Sequence, residues 1–352
     1  MPPTTPTQSI MHGIATRTQS NPSPVIFPIT SCNLVAEGQA SFEKSLADSH
    51  ILYKGLTKTK DDSWQFWVLS IGNGKLQALD NYPQASGYLG FLDDRQHFAL
   101  TGFYDVWLGD IDGSPARKVD KVSLDDPLLT NFRPYSPIWS DILDVADPNP
   151  PPDILDYAKG RFHSPNNKKI AIWKRGDQAL LLMDQSSKQT TEIVPTEMGD
   201  TIDGAWTSDS QWFIFAHTYG DPDKYYSQLL EVSSDGTELR PLTSPFGQSD
   251  FEAPIISPDG EKVAFVIDQV SHQTIGLLWL NNGNLSIYQL EPDPRLSLIG
   301  EFTVWSPDSQ WFAFINENID GNEKIHIMNI ESGNTYCILP SPALSSISMD
   351  WR

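Results

Sequence analysis

Apolar residues alternate with polar ones in short runs along most of this chain, with the period of two that places a strand's alternate side chains on opposite faces. In "FTVWSPDSQWFAFINE", residues 302 to 317, one such run meets Ser-Pro-Asp-Ser and passes at once into another. Proline fixes one backbone dihedral of a tight turn, and an aspartate carboxylate accepts the N–H groups that the turn leaves open, so the stretch predicts a strand, a turn and a strand. The same sequence logic recurs as "IISPDGEKVAFVID" from Ile255 and "AWTSDSQWFIFAHT" from Ala205. Each copy continues through a polar loop into a third and a fourth strand.

The turn aspartates Asp209, Asp259 and Asp308 fall 50 and 49 residues apart, a spacing that suits a four-stranded propeller blade with enlarged loops. Two weaker copies precede them: one from Gly160 with the turn Ser164-Pro165-Asn166, and one from Gly87 that keeps Asp94 but lacks the proline. Residues 50 to 80 supply three further strands without an obvious first one. The chain ends "LSSISMDWR", where Ile347, Met349 and Trp351 alternate as in a strand. Pairing that segment with residues 50 to 80 completes a sixth blade and removes the open edges of the ring. The expected architecture is all-β: a six-bladed β-propeller of four-stranded antiparallel blades over residues 50 to 352, closed by the C-terminal strand. A seventh blade built from residues 10 to 50 is the architectural alternative. Residues 1 to 24, rich in Pro, Thr, Ser and Gln, read as a flexible segment, and residues 25 to 49 as an extension or an additional strand.

The pattern "WSPDSQWFAF", with its variants "ISPDGEKVAF" and "WTSDSQWFIF", resembles the repeats of TolB-like, or WD40-like, propellers, most strongly over residues 201 to 340. The resemblance implies the fold. It leaves activity open, because propellers of this kind serve as interaction modules, as parts of peptidases and as carbohydrate-active proteins. The recurrent Trp206, Trp305 and Trp351, and the turn aspartates, are expected to serve packing and turn formation, since repetition in several blades favours architecture over chemistry.

Composition narrows the partners. The chain carries 45 acidic and 24 basic residues among its 352, a formal charge of -21, which disfavours nucleic acid and anionic membrane surfaces and favours a basic protein or peptide. No apolar run is long enough to span a bilayer, and no signal-peptide core is visible at the start, so the reading is a soluble protein, cytoplasmic or exported. Two cysteines, Cys32 and Cys337, build neither a disulfide-rich scaffold nor a cysteine-based zinc site; they would meet if the N-terminal arm lay against the last blade. No nucleophile elbow, Walker loop, dinucleotide fingerprint or His-Glu-x-x-His motif occurs. "NIDGNE" at 318 to 323 and "GDPDK" at 220 to 224 offer hard oxygen ligands for calcium, yet neither has the spacing of a twelve-residue calcium loop, so no cofactor is expected.

Loops that interrupt a repeat are better candidates for specificity than residues that constitute it. The largest lies near 133 to 158, and propeller topology puts it on the same face as the loops at 218 to 227 and 316 to 324. That face would present Tyr135, Trp139, Asp144, Asp156, Tyr157, Asp221, Asp223, Tyr225, Tyr226 and Asp320. Aromatic rings among acids suit a basic peptide or a sugar. The leading expectation is a non-catalytic interaction propeller that uses this face around the central channel. The alternatives are a carbohydrate-active enzyme, hydrolase or lyase, with loop-borne carboxylates, and a glycan-binding module.

Overall fold

The structure is a computed structural model, which describes residues 24–29, 33–34, 46, 48–57, 63–79, 89–92, 94, 96–101, 105–130, 142–143, 146, 158–174, 179–194, 203–221, 224–269, 272–290, 297–317, 323–338 and 344–351. Within them six separate antiparallel sheets form six blades. Blade 2 runs Leu89–Phe91, His97–Thr101, Val106–Asp110 and Arg117–Val119 from inside outward, and blade 3 spans Ala158–His163 to Thr190–Val194. Blade 4 begins at Gly204–Trp206 and blade 5 at Ser249–Ile256. Blade 6 begins at Ser297–Trp305.

Blade 1 is split between the ends of the chain. Leu344–Trp351 pairs antiparallel with His50–Thr57, His50–Thr57 with Ser63–Ser70, and Ser63–Ser70 with Lys75–Leu79. The C-terminal strand therefore closes the ring, as the alternation of Ile347, Met349 and Trp351 predicts.

Period two explains how one central strand serves two seams. In Trp311–Glu317, Trp311, Ala313 and Ile315 pack with Ile51, Tyr53, Met349 and Trp351 of blade 1, whereas Phe312 and Phe314 pack with Ala264, Val266 and Tyr288 of blade 5. A one-residue slip would exchange these faces and put tryptophan where phenylalanine fits. Close approach also fixes Gly276 in blade 5: a Cβ there would lie 2.4 Å from Cζ of Phe265.

The turns hold the blades as the sequence suggests, and they also join blades to one another. In blade 6 the Ser306 hydroxyl donates to Asp308, whose carboxylate accepts the Gln310 N–H at 3.0 Å, while Ser306 Oγ accepts the Trp311 N–H at 2.9 Å. Blades 4 and 5 repeat this with Thr207 and Asp209, and with Ser257 and Asp259. In blade 3, Ser164 and Asn166 do the same. Ser309 adopts a left-handed φ of 60°, which aims its hydroxyl at the neighbouring blade, where it accepts the Asp259 N–H at 3.0 Å. Ser210, with φ 61°, reaches the Asn166 N–H in the same manner. The tryptophans before the turns are clamps too: Trp305 Nε1 donates to the carbonyl of Ile255 at 3.1 Å, and Trp206 Nε1 to that of Phe162 at 2.7 Å.

Residues 25 to 34 contribute two outer strands. Val25–Ile29 lies parallel to Leu285–Leu290 at the rim of blade 5, and Asn33–Leu34 lies parallel to Thr335–Ile338 at the rim of blade 6. Leu46 is buried among Ile51, Trp67 and Ile315 where blades 6 and 1 meet.

Candidate functional site between blades 4 and 5

The loop face is best defined where blade 4 projects. Its second and third strands, Trp212–Asp221 and Lys224–Ser233, are ten residues each and stay paired to their tips, with Asp221 opposite Lys224. Gly220 permits the tight end: its φ is 113°, and a Cβ would meet the Lys224 carbonyl oxygen at 2.5 Å.

Alternation sorts the tip of this hairpin into two faces. On one, the His217 ring stacks on Tyr219 with centroids 5.6 Å apart, and Tyr219 meets Tyr226 at 6.0 Å. Tyr226 is 41% exposed, an unusual position for so large a ring. Burial pushes the His217 imidazole down to about 4, so it is neutral at physiological pH.

The other face carries Thr218, Ser227 and Tyr225 and turns toward blade 5. Thr218 Oγ1 and Ser227 Oγ share a hydrogen bond of 2.6 Å, and Thr218 donates to Asp250 Oδ1 at 3.1 Å. Asp250 stands directly opposite Asp268 across the first two strands of blade 5, and Gln273 continues the row on the third. Burial raises the Asp250 carboxyl above its ordinary range; the bonds from Thr218 and Ser227 act against this and the charge of Asp268 acts with it. Burial also raises the Tyr225 phenol, reinforced by the fields of Asp250 and Asp268. Nearby, Asp203 accepts the N–H of Ala253 at 3.2 Å, which pins a bulge between Glu252 and Ile255 where Ala253 has φ 46°. Burial raises that carboxyl as well.

The arrangement on this second face is a ledge where the Tyr225 ring lies beside two opposed carboxylates, which can hold an ammonium or guanidinium group against an aromatic surface. Among the described residues no group of three or more His, Cys, Asp or Glu is placed to hold a metal ion. No described helix is long and apolar enough to cross a membrane.

Of the residues expected on this face, Tyr225 and Tyr226 are both in this hairpin, Tyr225 on the side toward blade 5 and Tyr226 on the opposite side. Asp221 is in the hairpin, though only its backbone is described. Tyr135, Trp139, Asp144, Asp156, Tyr157, Asp223 and Asp320 lie outside the described residues. The described part of the 133 to 158 insertion is buried structure: Ile142, Leu143 and Ala146 pack with Leu92, Ala99 and Val106 of blade 2. Sequence reading missed Thr218, Ser227, Asp250 and Asp268. Alternation about Phe251 and Ile267 identifies Asp250 and Asp268 as off the core, but nothing local indicates that strand pairing sets them side by side.

Six antiparallel blades closed by the C-terminal strand make this chain a six-bladed β-propeller. It structurally resembles TolB-like propellers at low sequence identity. TolB from Acinetobacter baumannii matches with a TM-score of 0.54 at 16% identity, over 86% of this chain and 66% of that one. This chain thus spans just under two thirds of that TolB chain. A structure assigned as TolB from Agrobacterium tumefaciens matches with a TM-score of 0.44 at 12% identity, over 87% of this chain and 98% of that one. An oligogalacturonate lyase from Vibrio parahaemolyticus gives 0.43 at 14% identity, over 84% and 75%. No family model and no curated protein matches the chain. Likeness at such identity shows the fold and leaves the ledge to be read from its own chemistry.

Proposed function

We propose that this propeller is a non-catalytic interaction module that binds a basic segment of a protein partner on the ledge between blades 4 and 5. The observation that carries the reading is the juxtaposition of Tyr225, on the hairpin face that also bears Thr218 and Ser227, with the opposed Asp250 and Asp268. A lysine or arginine stem would lie on the Tyr225 ring while its charged head meets the carboxylates, and the overall charge of -21 would accelerate encounter. Asp250 already accepts bonds from the neighbouring hydroxyls, which fixes its orientation before any ligand arrives.

Fluorescence polarisation with a panel of labelled Lys/Arg-rich and Asp/Glu-rich peptides tests this. Basic peptides should bind with an affinity that falls as salt rises, and Asp250→Asn with Asp268→Asn should weaken them at least tenfold. Equal binding of acidic peptides, or no loss in the folded double variant, would overturn the reading. Tyr135 and Trp139 of the insertion are a second part of the proposed surface. They are tested by Tyr135→Ala and Trp139→Ala rather than by deleting the insertion, which would strip Ile142 and Leu143 from blade 2.

The opposed aspartates also favour a second reading, a carbohydrate-active enzyme, because a carboxyl that burial raises, set opposite a second carboxyl, is the kind of pairing that glycosidic cleavage uses. Release of reducing ends from an oligosaccharide panel, abolished by Asp250→Asn, would support it.

A further inference from the structure

The row formed by Asp250 and Asp268 has a third member. Across the first three strands of blade 5, Ser249–Ile256, Lys262–Gln269 and His272–Trp279, Asp250 stands opposite Asp268 and Asp268 opposite Gln273. Directly paired residues of an antiparallel sheet share a face, so two carboxylates and an amide stand side by side. All three residues are partly exposed, yet the side-chain oxygen of Gln273 is itself buried and has no hydrogen-bond partner among the described residues. Such an oxygen bears the cost of its lost hydration with or without a ligand, and a ligand that donates to it gains a bond without stripping it of water. Building on the reading of the ledge as a site for a basic segment, we infer that Gln273 is a specificity residue, and that the group it selects is the guanidinium of an arginine rather than the ammonium of a lysine.

Reach decides between the two cations. Neighbouring side chains in such a row start about 5 Å apart, so the row from Asp250 to Gln273 spans about 10 Å. An ammonium is a point donor: with bonds of about 2.9 Å it joins acceptors no more than about 6 Å apart, which is one neighbouring pair. A guanidinium carries its N–H groups in a fixed planar fork. Two of them would close on Asp268, while the outward ones extend to either side, toward Asp250 and Gln273. Glutamine is one methylene longer than aspartate, which lets its oxygen lean toward the centre of the row.

The wall of the site favours the same cation. Tyr225, partly buried and within the fields of Asp250 and Asp268, offers a ring against which a planar guanidinium packs flat. The backbone holds it there: the Gln248 N–H donates to the Tyr225 carbonyl at 2.9 Å, tying the hairpin of blade 4 to the entry of blade 5. The protein already displays this combination on blade 4, where the Arg240 guanidinium lies 4.2 Å over the Trp212 ring and pairs with the buried Glu231.

The test is fluorescence polarisation on the full chain with a pair of labelled peptides, identical except that every basic position is arginine in one and lysine in the other. The arginine peptide should bind about tenfold more tightly. Gln273→Met keeps the length of the side chain and removes the acceptor; it should bring the arginine peptide down to the affinity of the lysine peptide, whose own binding stays within about twofold. The melting temperature of that variant should be unchanged or raised, because an apolar group replaces an unsatisfied one. Equal affinities in the parent, a preference that survives Gln273→Met, or a lowered melting temperature would overturn the role of Gln273 and leave the ledge as a general site for basic peptides. If neither peptide binds, or if Asp250→Asn with Asp268→Asn leaves both unaffected, the reading of the ledge falls and this inference with it.

Discussion

Blades 6 and 1 are neighbours built from the same four-strand plan, yet they are held by different means. In blade 6 the first and second strands are continuous through the turn Ser306 to Ser309, and polar contacts tie that region down, among them Ser306 to Asp308, Trp305 to Ile255, and Ser309 to Asp259. In blade 1 the first strand comes from the far end of the chain, so there is no turn and no aspartate between Trp351 and His50. Trp351 fills the place of Trp305 and is 1% exposed, but its indole N–H has no hydrogen-bond partner among the described residues. In the repeat the polar clamps sit at the turn; in the closure strand pairing and apolar burial are joined by one clamp away from any turn, the Asp350 carboxylate accepting the Phe91 N–H of blade 2 at 2.6 Å. The difference follows from chain connectivity, since a turn aspartate can only cap a turn that exists.

The largest effect should come from removing the closure altogether. A chain ending at Pro342 loses the strand Leu344–Trp351 and bares the backbone edge of His50–Thr57, so cooperative thermal unfolding should give way to a broad transition or aggregation, read by circular dichroism and light scattering. An unchanged two-state transition would break the comparison at its root. Next, Trp305→Phe should cost about 2–4 kcal/mol, combining lost packing with an unsatisfied Ile255 carbonyl, whereas Trp351→Phe should cost about 1 kcal/mol less because no bond is lost. Urea denaturation of the two variants measures that gap, and equal losses would mean that the indole bond contributes nothing. Asp308→Ala should destabilise by about 0.5–2 kcal/mol, in the range of other side-chain caps, and leave peptide binding intact.

Protonation separates the two regions more finely. Lys54 of blade 1 is buried, and burial lowers its ammonium to about 8. Its folded-state value lies below the unfolded one, so the stability penalty is complete below pH 8 and is relieved as pH rises toward 10.5. Asp259 contributes stability where Lys54 imposes a penalty: burial pushes its carboxyl up, but Lys262, the Ser257 hydroxyl and the Glu261 N–H together leave it lowered. Its contribution is present above the ordinary carboxylate value and is lost as acid protonates it. Urea midpoints should therefore rise between pH 8 and 10.5 in the parent and not in Lys54→Met, and Asp259→Asn should blunt the acid loss below about pH 4.

The four-strand repeats, their turns and even the closing strand were legible because each depends on local alternation or on one tight turn. The Asp209, Asp259 and Asp308 carboxylates form bonds with residues two or three positions away, so their role is written where they stand. The reach of Ser309 across to Asp259 was not legible, since it depends on a neighbouring blade 50 residues back. Tyr225 and Tyr226 could be picked out as aromatic residues on an enlarged hairpin. Asp250 and Asp268 could not be picked as a pair, because strand register alone brings together carboxylates 18 positions apart.

What the sequence by itself determined is the blade: period-two burial, a Ser-Pro-Asp turn and the count of six are properties of short segments. Only the tertiary structure decided what lies between blades. It turned the tryptophans into clamps, gave Asp250 its hydroxyl donors, laid Val25–Ile29 and Asn33–Leu34 along two outer rims and buried Ile142, Leu143 and Ala146 of the insertion on blade 2. The physical reason is range: alternation and turn capping act over a few residues, whereas burial, register and charge proximity depend on which distant segments the closed ring brings together.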